Sequence, residues 1–135
     1  MNNEQAAPKP RKNLFRFREW PVYKDAKSFR KKIRKLANRL PESERYLLRD
    51  QISRSADSNC LNIAEGSNKL SDIDFSRYLN NSETSLQEVV SCMDLILEDG
   101  HITEDEFADY LKEAERLGAQ LIAFGKSVRA EGTRL

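Results

Sequence analysis

Phe75, Leu79, Ser82, Leu86, Val89, Met93 and Ile96 follow one another at alternating steps of 4 and 3 residues. A strand turns successive side chains to opposite faces, so it cannot gather such a set on one side; a helix can. The run predicts one long helix, opened by Ser71 and stopped by Gly100, a residue suited to a helix C-terminus. Tyr78, Val90 and Leu97 flank the stripe and make it wider than the seam of a two-stranded coiled coil. A helix with so broad an apolar face must be covered by more than one neighbour.

The rest of the chain supplies those neighbours. Val22, Ala26, Phe29, Ile33, Leu36 and Leu40 form a stripe on a first helix that starts at Pro21 and stops before Pro41. Trp20, just before it, is placed to pack back on that helix as a staple. A second helix is predicted from Glu42 to Asn68, a length of about 40 Å at the standard rise. Its stripe of Leu48, Ile52, Ser55, Asn59 and Ile63 is small and polar; with Ser58 and Asn62 it suits close approach of helices, provided the amides find partners. Gly66 ends or loosens this helix. Ser71 with Asp74 resembles a capping box, and Thr103 with Glu106 is one. The fourth helix then carries Phe107, Leu111, Ala114, Leu117, Leu121, Phe124 and Val128; Gly118 and Gly125, costing about 1 kcal/mol each in a helix, suggest a close contact or a bend. Before all of these, Leu14, Phe15 and Phe17 alternate with Arg16 and Arg18, as in a short extended segment whose aromatics dock on the helices. The expected architecture is all-α: an antiparallel up-down-up-down four-helix bundle over residues 14–131, with a flexible basic arm at 1–13 and a frayed tail at 132–135.

Charge is distributed unevenly along this plan. Residues 1–39 carry 13 basic side chains against 3 acidic ones, a net of +10, while the remaining 96 carry 10 and 19, a net of −9. Lys24, Lys27, Arg30, Lys31, Arg34 and Lys35 on the first helix, with Arg11, Lys12, Arg16 and Arg18 before it, are candidates for binding RNA or DNA through phosphates, without reading sequence. The same charges would equally suit a solvated face, or pairing with an acidic helix of another copy or of a protein partner. Phe15, Phe17, Trp20 and Tyr23 lie among them and could stack on bases or serve the core.

Catalysis finds no support. With a single histidine the chain cannot supply the two Glu-x-x-His motifs of a di-iron bundle, and it has no phosphate-cradling glycine loop and no nucleophile with a nearby base. No metal or cofactor is expected: His101 is the only histidine, and no cysteine pair has ligand spacing. His101, beside Glu98 and Asp99, reads as a pH-sensitive surface residue at most. Cys60 and Cys92 fall in apolar-periodic stretches and read as reduced core thiols. No apolar run nears the ~20 residues of a membrane span, and the N-terminus lacks the apolar core of a signal peptide, so a cytoplasmic protein is expected.

Trp20, the Glu44-Arg45-Tyr46-x-Leu48 opening of the second helix, the Asn62-Ile63-Ala64-Glu65-Gly66 box, and Phe75-x-x-Tyr78-Leu79 followed by Ser82 and Ser85 together resemble the bacterial 23S rRNA intervening-sequence (S23-type) proteins, over about residues 15–130. The resemblance implies a four-helix bundle assembling as a homopentameric ring. It brings no activity with it. That family is similar to the accessory variability protein of diversity-generating retroelements, a basic pentamer that binds nucleic acid and a reverse transcriptase. Asn62, Glu65, Gly66, Trp20 and Tyr78 are accordingly read as structural or subunit-interface residues, with a functional role for the box as the other reading. In one place the chain departs from the family pattern: Asn59-Cys60 stands where an Ile-Pro pair is common, so a proline kink in the second helix is expected to be absent or milder.

Overall fold

Four long helices make up most of the chain in a computed structural model that describes residues 14–131, apart from the side chains of Arg45, Tyr46 and Glu131. The expected arm, with Arg11 and Lys12, and the expected tail lie outside the described residues. Helix α1 spans Pro21–Arg39, α2 Asp50–Gly66, α3 Asp72–Glu98 and α4 Glu104–Glu131. Each helix packs on the next in sequence, and α4 closes back on α1. The direction of that last pair is visible in its bonds: Asp25 meets Gln120, Lys32 meets Glu113, and Arg39 meets Glu106. Each step up one helix is matched by an equal step down the other, so α1 and α4 run antiparallel in a single register. The architecture is the expected all-α four-helix bundle, without strands among the described residues.

The predicted stripes form the core. Ala26, Phe29, Ile33 and Leu36 of α1, Ile52 and Ile63 of α2, Phe75, Leu79, Val89, Met93 and Ile96 of α3, and Leu117, Leu121 and Val128 of α4 are all buried. Cys60 and Cys92 are buried free thiols. The small polar positions lie between α2 and α3, the most extensively packed pair. There Asn59 and Ser82 bond each other, and Ser58 Oγ lies 2.7 Å from Ser85 Oγ. These short side chains bring two backbones close and pair most of each other's polar atoms, with Asn59 Oδ1 left buried and unpaired.

The helix ends follow the sequence closely. Ser71 Oγ accepts from Asp74 N–H at 3.1 Å, giving half of a capping box. Thr103 and Glu106 make both halves, at 2.9 and 3.1 Å. After α3, Gly100 takes φ +81°, and the N–H groups of Gly100 and His101 return to the carbonyls of Leu97 and Ile96. That is the left-handed termination for which glycine is the cheapest residue.

Four local expectations are corrected. Leu14–Arg18 is not extended: Arg18 N–H bonds Phe15 O and Trp20 N–H bonds Phe17 O, winding Arg16–Glu19 into a 3₁₀ turn. Phe17 packs edge-on against Tyr23 at 4.9 Å, while Leu14 and Phe15 stay exposed. Trp20 does not staple its own helix; it stacks on Phe75 at 5.8 Å and meets Phe124 edge-on at 5.0 Å, tying the start of α1 to α3 and α4. The second helix is regular only from Asp50. The chain leaves Leu40–Pro41 through a tight turn at Glu42–Glu44 and a wide π turn at Arg45–Arg49, which together absorb the change of direction. From there α2 runs unbroken through Asn59–Cys60, as the missing proline implies. Gly118 marks no unusually close contact, since a Cβ there would find Leu86 at an ordinary 3.5 Å, and a Cβ on Gly125 would meet the Arg129 guanidinium of its own helix at 3.3 Å.

Candidate nucleic-acid interface

The buried stripe of α1 decides where its charges point. Val22, Ala26, Phe29, Ile33 and Leu36 face inward, so residues half a turn away must face out. Lys24, Lys27, Lys31 and Lys35 hold those positions and are all exposed. Lys24 makes a long 3.6 Å pair with Glu19, on its own side of the bundle, and Lys27 Nζ sits 5.3 Å from the centre of the Tyr23 ring. Lys31 and Lys35 form no ion pair among the described residues.

The arginines of the same helix behave differently. Arg30 Nε and Arg34 Nη2 each bond one oxygen of Asp57 on α2, both at 2.6 Å. Partial burial pushes the Asp57 carboxyl up, but the bonds from the two guanidinium groups outweigh it and hold the group below the usual carboxylate range. On the opposite flank Lys32 and Arg39 reach Glu113 and Glu106 of α4 at 2.8 and 2.7 Å. Arg39, with the Thr103 backbone N–H, lowers Glu106 to about 2. Cations at the edges of α1 therefore hold the bundle together, while those on its outer face do not. The division follows position rather than side-chain type, since Lys32 at the edge is paired across helices just as the arginines are.

Arg16 donates to Ser67 O at 3.1 Å and lies 5.6 Å over the Trp20 ring, fastening the N-terminal turn to the end of α2. Arg18 is exposed. The Asn62–Gly66 box is built into the helix pair. Asn62 Nδ2 bonds Ser58 O and Oγ, Glu65 is exposed, and Gly66 is buried against α3. A Cβ on Gly66 would stand 2.8 Å from Tyr78 Cβ and 3.0 Å from Phe75 Cδ1. Asp57 and Ser67, which receive three of the candidate cations, were not singled out from sequence. Nothing in the spacing of α1 tells which acid on another helix will meet it.

Two features besides the lysines face solvent. Leu47, Leu61, Leu70 and Ile73 are more than half exposed, at 64, 63, 93 and 66%. A groove of about 530 Å³ opens between the start of α1 and the last turns of α4, lined by Trp20, Val22, Phe124 and Val128 with Arg16 and Gln120. No helix of the described residues is long and apolar enough to cross a membrane.

A family model described as "23S rRNA-intervening sequence protein" matches residues 18–123. Among solved structures, the bundle is similar to a crystal structure of a protein of unknown function from the S23 ribosomal protein family of Bacteroides thetaiotaomicron. The TM-score is 0.72 at 24% identity, over 78% of this chain and 98% of that one. No curated protein matches the chain.

Proposed function

The chain belongs to the 23S rRNA-intervening sequence protein family, and from that premise we propose that it is a non-enzymatic, cytoplasmic bundle that binds RNA or DNA without reading sequence. The observation that carries this is the outer face of α1, where Lys24, Lys27, Lys31 and Lys35 form no cross-helix ion pair among the described residues. Ammonium groups in open water bind phosphate by releasing condensed counterions, which needs no pocket and gives no base preference. Arg18 and the preceding Arg11 and Lys12 extend the same charge along the chain. Assembly of several copies, as a homopentameric ring in this reading, would repeat the lysine face and convert weak contacts into useful affinity.

The test is a gel shift of the full chain against a structured RNA and a duplex DNA over a salt series. Tight binding at low salt should weaken with rising salt, at a slope of roughly −3 to −4 per chain if four phosphates are neutralised. No binding of either at low salt would refute the proposal.

A second reading rests on the exposed leucines and the apolar groove: a scaffold for its own copies or for a partner protein, without nucleic-acid contact. Changing Lys24, Lys27, Lys31 and Lys35 to Glu discriminates the two. Loss of nucleic-acid binding with an unchanged assembly supports the first; dissociation of the assembly supports the second.

A further inference from the structure

At the end of the bundle away from Gly66, three side chains from distant parts of the chain converge. His101 Nε2 lies 4.0 Å from Glu44 Oε2, and one ligand atom from each of Glu44, Asp99 and His101 falls within 4.8 Å of the others. Glu44 comes from the tight turn before α2; Asp99 and His101 flank Gly100 in the turn between α3 and α4. His101 and Glu44 are largely covered, with side chains 24 and 20% exposed, whereas Asp99 is open to solvent.

Charge sets this cluster apart from the other junctions between helices. Asp57, Glu106 and Glu113 each meet an arginine or lysine. Glu44 and Asp99 form no ion pair with either among the described residues; the basic group gathered with them is an imidazole. Two carboxylates gathered on one imidazole leave local negative charge and free oxygen and nitrogen lone pairs, the donor set of a borderline divalent ion. We propose that Glu44, Asp99 and His101 form a three-ligand site for a divalent transition metal of the zinc class. Imidazole in the set disfavours magnesium and calcium, which take oxygen ligands. Bonds of about 2.0–2.2 Å to nitrogen and oxygen would draw the three atoms closer than they now stand, by rotation of side chains on a turn and a turn-like segment, and would leave the fourth position to water. The bound ion would pin the irregular stretch Glu42–Arg49 to the α3–α4 turn, closing the end of the bundle where regular helix is missing.

The experiment titrates the full chain with Co2+, read by its visible absorption, and then displaces it with Zn2+, alongside thermal melts. One ion per chain is expected, with a higher melting temperature in Zn2+. His101→Ala and Glu44→Gln should each weaken binding by more than about tenfold and abolish the melting shift. Asp99→Asn, at an exposed position, supplies the same readout should either of the others fail to fold. Absence of saturable one-to-one binding overturns the site. So does undiminished affinity in these variants, which would place the ion elsewhere.

Discussion

Asn59 on α2 and Ser82 on α3 hold each other by three hydrogen bonds inside the core. Asn59 Nδ2 donates to Ser82 O and Ser82 Oγ, both at 2.9 Å, and Ser82 Oγ donates to Asn59 O at 2.6 Å. Both residues are essentially without solvent exposure. The amide is thus a donor aimed at two oxygens, and its shape is filled by a charged near-isostere only at high cost. Asn59→Asp should destabilise the fold by about 3 kcal/mol or more at neutral pH, since a buried carboxylate would face the Ser82 carbonyl. The burial raises the new carboxyl's pKa, so stability should recover on acidification through that range. Ser82→Ala, which leaves the Asn59–Ser82 carbonyl bond in place, should cost only about 1 kcal/mol. Urea denaturation at two pH values checks both.

Gly66 lets α2 approach α3 closely. An added methyl would sit 2.8 Å from Tyr78 Cβ, an atom fixed to its own backbone, so α2 and α3 would have to part. Gly66→Ala should lose about 1–3 kcal/mol despite the better helix propensity of alanine. Gly118→Ala, which meets Leu86 at an ordinary 3.5 Å, should be neutral or stabilising. Equal destabilisation of the two variants in denaturant melts would contradict this account.

The contrast between those glycines shows how far the residues could be read without coordinates. The stripes of α1, α3 and α4, the Thr103–Glu106 box and the Gly100 stop were legible because each depends on neighbours a few places away. So was the polar seam, because Ser55, Asn59 and Ser82 interrupt otherwise apolar stripes. The pairing of Arg30 and Arg34 with Asp57, the seat of Trp20 between α3 and α4, and the meeting of Glu44 with His101 depend on helix rotation and register, which no local pattern encodes. The wide turn at Arg45–Arg49 escaped for a related reason: its residues continue the helical pattern, and the detour is imposed by the route from Pro41.

Acid should weaken the fold through named carboxylates. Glu106 titrates near 2 in the folded chain against an ordinary 4.5, so its contribution is present above 4.5 and is lost as pH falls toward 2. Asp57, also held below its ordinary value by Arg30 and Arg34, acts in the same direction. Glu106→Gln and Asp57→Asn should each flatten the fall in melting temperature below pH 4.5. Parallel melting curves for wild type and both variants across that window would show that other groups carry the acid dependence.

Cys60 should be inert in the native protein. Burial raises its thiol to about 11 and raises that of Cys92 as well, so the reactive thiolate is scarce at pH 8. Reaction with an aromatic disulfide reagent should be slow until denaturant is added, and two thiols should then be counted per chain. Rapid labelling without denaturant would mean that the α2–α3 region opens far more readily than its packing implies.

The two kinds of cation on α1 should separate experimentally. Lys31→Glu and Lys35→Glu touch nothing that holds the bundle, so melting should shift by no more than about 0.5 kcal/mol while phosphate binding falls. Arg30→Ala with Arg34→Ala strips both partners from a partly covered carboxylate. Because all three groups are substantially solvated, the loss should be modest, about 1 kcal/mol, and should shrink in high salt. Its effect on nucleic-acid affinity should be smaller than that of the lysine pair, since these guanidinium groups must release Asp57 before they can meet a phosphate. If the arginine pair instead lowers affinity as much as the lysines do, Asp57 is no barrier to phosphate and the interface must extend from the outer face of α1 onto its seam with α2.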